Sequence, residues 1–171
     1  MKAFFKKLKY TPHEIADAIV IDLINLFEKI NFLYRKFTGK YFFLKKNKIL
    51  KNTHKEERIF ILGNAPSLNN FDLKRLKNEI IIMVNRSFDH PDYEIIKPKY
   101  HIFVDPKLAT GVWPLSYLDE IYKKNPNVKL IFNSEWYYLE KFKEFRDKKN
   151  VFWVKSKSVS LLFNNFNNNL S

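Results

Sequence analysis

Asn64, Asn85 and Asp105 each follow the end of an apolar run, at spacings of 21 and 20 residues. An amide side chain both donates and accepts hydrogen bonds, and a carboxylate accepts them. Brought to one edge, two amides and a carboxylate could hold the hydroxyls of a ribose and the edge of a base. The bland alternative is that Asn and Asp are common wherever strands stop. Asn64 sits in the segment Arg58-Ile-Phe-Ile-Leu-Gly-Asn-Ala-Pro-Ser67-Leu68. Ile59 to Leu62 reads as a buried strand suited to the centre of a parallel sheet. Gly63, one of only three glycines in the chain, permits a tight turn or the close approach of a ligand. Pro66 then fixes φ and stiffens the turn. Ser67 lies outside any GxSxG context, so nucleophilic catalysis is not indicated. No GxGxxG or GxxxxGK[ST] occurs, which removes the dinucleotide fingerprint and the P-loop.

The elements that must position these residues alternate between strand and helix. Apolar runs at 59–62, 80–84, 100–104, 129–132 and 151–154 read as five strands. Between them, 70–76 and 114–124 read as helical, and Ser134 is placed to cap a helix running to about Phe145. Strands alternating with helices predict right-handed crossovers and an α/β, Rossmann-like, mainly parallel sheet. In such a sheet the three polar residues share the carboxyl edge, where ligands bind.

A hydrophobic content of 46% with 17% aromatics supports a packed core and argues against disorder. The net charge of +13 raises the question of nucleic acid. Residues 1–57 contribute +7 and the remaining two thirds of the chain +6. The excess is therefore densest outside the α/β domain, and no helix-turn-helix, RNP-type or zinc-finger pattern is present. Nucleic acid is disfavoured against a membrane surface or anionic small ligands. There is no cysteine, and the four histidines show no HxxxH or HExxH spacing, so no metal site is suggested.

Three segments follow. Residues 1–57 form a basic, amphipathic helical arm with a linker at 51–57, residues 58–155 the nucleotide-binding domain, and residues 156–171 a polar tail. In the arm, Thr11-Pro12-His13-Glu14 is a helix start with a capping box. Behind it Ile15, Ile19, Leu23, Leu26, Phe27, Ile30, Leu33, Tyr34 and Phe37 recur at three- and four-residue steps. Gly39 is the expected stop. Lysines and aromatics flank the stripe on both sides. Three occupants suit it: the chain's own following domain, a second copy in a homo-oligomer, or an anionic membrane surface met by residues 1–45. Asp17 and Asp22 interrupt the apolar stretch, so neither a signal peptide nor a bilayer span is expected. The expected location is cytoplasmic, or peripheral at the inner face of the membrane.

The segment Ile61-Leu-Gly-Asn-Ala-Pro-Ser-Leu68 resembles the Gly-Asn-Gly-Pro-Ser-Leu turn of bacterial sialyltransferases that build surface glycans. A related group, similar to 6-hydroxymethylpterin diphosphokinases, shares it. Asp72 to Glu79, Val84-Asn85-Arg86 and Lys97-Pro-Lys-Tyr-His-Ile-Phe-Val-Asp105-Pro106 continue the likeness in family order, over residues 52 to 155. The resemblance implies a nucleotide-sugar, CMP-linked, as substrate and no cofactor. It places Gly63, Asn64, Pro66 and Ser67 at the phosphate and ribose side, and Asn85 and Asp105 at the nucleotide. Ala65 departs from the family's second glycine, and Asp105 stands where those enzymes tend to carry Asn. The family's later half, with its catalytic base, has no counterpart here. The chain is expected to be an N-terminal portion of a polysaccharide-biosynthesis glycosyltransferase, truncated and inactive alone. The alternatives are a pterin diphosphokinase-like protein and a non-enzymatic basic module on a membrane or nucleic acid.

Overall fold

The computed structural model describes residues 11–155; the basic-aromatic start and the polar tail lie outside the described residues. These residues fall into two units, with the boundary between Phe42 and Phe43.

The first unit carries helix α1, Pro12–Phe37. Its start is the expected capping box. Thr11 Oγ1 accepts from Glu14 N–H at 3.3 Å, and Glu14 Oε2 accepts from Thr11 N–H at 2.6 Å. Such a cap is worth about 1 kcal/mol. The helix stops at Thr38, and Gly39 follows with φ of 75°. The stripe from Ile19 to Phe37 is exposed, while Ala18 is the one fully buried residue of the helix. No described helix is long and apolar enough to cross a membrane.

The second unit is an α/β fold. Its five strands are β1 (Ile59–Leu62), β2 (Ile80–Val84), β3 (Tyr100–Phe103), β4 (Lys129–Asn133) and β5 (Val151–Val154). All pairs are parallel, and the spatial order equals the chain order, β1-β2-β3-β4-β5. β1 is therefore an edge strand, not a central one. Its Ile61 is 71% exposed, and an apolar run reads the same at an edge as in the centre.

With each crossover joining adjacent strands in the same hand, all crossovers fall on one face of the sheet. On that face Met83, His101, Leu130 and Trp153 are sealed. Phe132 packs there against Trp136, Phe142 and Phe145 from the last crossover. Each such side chain contributes about 1.5–3 kcal/mol by leaving water. The crossovers are short: α2 (Tyr93–Ile96), α3 (Lys107–Thr110), α4 (Ser116–Lys124) and several 3-10 turns. The helix expected from Ser134 is two 3-10 turns broken at Leu139. Its cap is Asn133, whose side chain accepts from Glu135 N–H at 3.0 Å. Ser134 Oγ is instead buried without a partner.

The opposite face is only partly covered. Residues 43–57, expected to end the arm and lead into the domain, pack on it and around β5. Asn47 donates to the Trp153 carbonyl at 2.7 Å, and His54 Nε2 meets the Tyr100 hydroxyl at 2.8 Å. Leu50 closes over Tyr100, Ile131 and Phe152. Towards β1 this face stays open at Ile59 and Ile61.

Candidate functional site

Because the strands are parallel, Asn64, Asn85 and Asp105 all follow carboxyl ends of neighbouring strands and lie along one edge. They divide into two groups with different work.

Asn85 and Asp105 serve the backbone. Asn85 is buried and holds φ of 54°, a left-handed conformation that asparagine tolerates better than most residues. Its Oδ1 accepts from Val104 N–H at 3.0 Å and Asp105 N–H at 3.2 Å, which ties the end of β2 to the chain leaving β3. Its own carbonyl accepts from His101 Nε2–H at 2.7 Å. The Tyr93 hydroxyl completes the chain by meeting His101 Nδ1 at 3.2 Å. Full burial pushes the His101 imidazole down to about 4, so it is neutral near pH 7 and acts as a strut. Burial likewise raises the Tyr93 hydroxyl well above its usual range. Asp105 turns back on its own chain: its carboxylate accepts from Lys107 N–H at 2.9 Å and lies 3.8 Å from Lys107 Nζ.

Asn64 and Pro66 border a cleft of about 290 Å³. It is also lined by Ala65, Leu68 and Asn69 from the turn after β1, and by Arg86, Ser87, Asp89 and His90 from the turn after β2. Gly63 ends β1 just before it, and Ser67 lies between lining residues in the 3-10 turn Pro66–Asn70. Gly63 does not have a positive φ, and a Cβ there meets nothing within 4 Å among the described residues. Neither its conformation nor its packing demands glycine. What remains is room for something that approaches the end of β1.

The β2 side of the cleft carries the charge. Arg86 Nε and Nη2 donate to Asp89 Oδ2 at 3.0 and 2.7 Å, and this pairing raises the guanidinium further above its usual value. The pair is formally neutral, and it engages Nε and Nη2 while Arg86 Nη1 keeps its donors outside it. Ser87 faces inward to the fold, where its Oγ accepts from Val84 N–H at 2.9 Å. His90 is buried, and its Nδ1 accepts from Asp92 N–H at 3.1 Å. The neutral ring therefore carries its proton on Nε2, an atom without a partner. That tautomer makes His90 a donor in place of a base.

The sequence pattern did not mark Arg86, Asp89 or Asn69. The available signal was the Arg-x-x-Asp spacing at 86–89, which closes one turn right after a strand end. No protein-family model matches the chain, and no curated protein or solved structure matches it either.

Proposed function

We propose that the second unit binds the nucleotide portion of an activated sugar, as the nucleotide-binding part of a sialyltransferase-like glycosyltransferase of surface-polysaccharide synthesis. The observation that carries this reading is the cleft between the turns after β1 and β2, at the carboxyl edge of a parallel sheet, where α/β folds place ligands. Two amides, Asn64 and Asn69, suit a ribose or a base edge. The Arg86 guanidinium suits a phosphate oxygen. The volume sits near the lower end of ligand clefts, about 300–1,000 Å³, and favours a mononucleotide over a dinucleotide. In this role Asn85 and Asp105 fix the shape of the edge through the backbone, and the contacts to ligand come from Asn64, Asn69 and Arg86.

Transfer needs a base at the acceptor hydroxyl. His101 is sealed in the core and His90 presents a protonated nitrogen, so neither is set up for that step. The expected behaviour of the purified chain is weak nucleotide binding without turnover. Calorimetric titration with CMP, a CMP-sugar, ATP and a hydroxymethylpterin decides among the readings. Binding of CMP and the CMP-sugar, reduced by Asn64→Ala and by Arg86→Ala, is the expected result. ATP binding enhanced by the pterin would shift the assignment to diphosphate transfer. No binding of any of the four would leave the turn a purely structural feature.

A further inference from the structure

Helix α1 carries a seam with a period of 3.5 residues, narrower than the broad amphipathic stripe first apparent. From residue 16 to residue 37, Leu23, Ile30 and Phe37 recur every seven residues after Ala16, and Ile19, Leu26 and Leu33 recur every seven between them. These are the a and d positions of three heptads. Every one of them is exposed, with Leu23 at 61%, Leu26 at 54% and Phe37 at 93%. Ala18, the buried residue of the helix, lies off this seam.

We infer that this seam is the interface for a second copy of the chain, with the two α1 helices antiparallel and Leu23 opposite the partner's Leu26. Charge selects both the occupant and the direction. The positions beside the seam, one before each a residue, are Asp22, Lys29 and Lys36. Antiparallel helices bring these positions against one another, whereas parallel helices set them against Phe27 and Tyr34, which carry no charge. When Leu23 meets the partner's Leu26, Asp22 meets the partner's Lys29, and the two-fold symmetry gives the pair twice. In the same register Ile19 meets the partner's Ile30, Ala16 meets the partner's Leu33, and Val20 meets the partner's Phe27 along the opposite flank. Sliding by one heptad sets Lys29 against its own symmetry mate, which disfavours that alternative. Anionic lipid fits less well, because Glu14, Asp17, Asp22 and Glu28 outnumber the basic residues of the helix, Lys29, Arg35 and Lys36.

The test is the oligomeric state of the full chain by sedimentation equilibrium across a range of concentrations. The wild type should dimerise. Asp22→Lys and Lys29→Asp should each weaken the dimer by about tenfold, since each places two like-charged pairs at the interface, and the double reversal should restore it to within about threefold. The chain has no cysteine. An oxidised mixture of the Asp22→Cys and Lys29→Cys variants should therefore give mixed disulfide dimers in excess of either homodimer. A wild type that stays monomeric to ~100 µM with native helicity, that is, a concentration well above an ordinary micromolar dissociation constant, overturns the proposal. So do equal dimerisation of all three charge variants, homodimeric disulfides in excess, or a monomer that floats with vesicles containing phosphatidylserine.

Discussion

Replacing Asn85 separates a structural amide from a ligand-binding one. In Asn85→Ala, the Val104 and Asp105 N–H groups lose their shared acceptor. Both are half-buried, so water replaces part of the loss. Two bonds at about 0.5–1.5 kcal/mol each give about 1–3 kcal/mol. Alanine must also adopt the left-handed conformation held by Asn85 at φ of 54°, which costs about 1 kcal/mol more. The expected destabilisation is about 2–4 kcal/mol. Asn85→Gly removes the same amide but accepts the backbone angle, so it should be the milder change by about 1 kcal/mol. Urea unfolding of the three proteins at pH 7, followed by tryptophan fluorescence, measures both differences. The order should be wild type, then glycine, then alanine. If both variants unfold within 0.5 kcal/mol of wild type while CMP binding is abolished, the amide serves a ligand and the backbone role assigned here is refuted.

Acid should expose the His101 strut. Its folded value of about 4 lies below the ordinary 6.5 of an unfolded chain, so the unfolded state takes up the proton first. Stability from this group is fully present above pH 6.5 and is lost as pH falls towards 4, by about 3 kcal/mol. Urea midpoints from pH 7 to 4 should show that loss, and the part due to this residue should vanish in His101→Asn. Gly63→Ala should leave the unfolding midpoint within about 0.5 kcal/mol, because a Cβ meets nothing there, yet weaken nucleotide binding at least several-fold. Equal binding by this variant would remove the argument for close approach at that turn. Thr11→Ala should cost about 1 kcal/mol of α1 stability, read as increased fraying of its first turn by amide exchange.

The five strands were legible because each apolar run is bounded by turn residues, and the 21- and 20-residue spacings match one crossover each. The capping box at Thr11 was legible for the same local reason: its four residues contain the whole motif. The position of β1 was not. Ile-Phe-Ile-Leu is apolar on both faces, so alternation is absent and nothing in the run distinguishes an edge from a centre. The work of Asn85 was hidden too. An amide that caps the neighbouring strand's exit and an amide that faces a ligand have the same spacing, and only the direction of Oδ1 separates them. Arg86 followed Asn85 in plain view, but its place beside Asn64 depends on strand order, which no local pattern encodes.

The coincidence of spatial order with chain order bears on how the sheet assembles. Each strand pairs with the one synthesised just before it, so the separations that must close are short: Ile59 to Ile80, Ile82 to Tyr100, Tyr100 to Lys129 and Leu130 to Val151. That is the lowest contact order a parallel sheet of this size can have, and low contact order speeds folding. Within the sheet no late strand is needed to pair an early one; only the segment 43–57 waits for β5, on which Asn47 docks through the Trp153 carbonyl. At about 5–20 residues per second, a new unit of roughly 20 residues leaves the ribosome every ~1–4 s, long compared with local collapse. The sheet can therefore grow strand by strand in the order of translation, each finished strand offering its free edge as the template for the next.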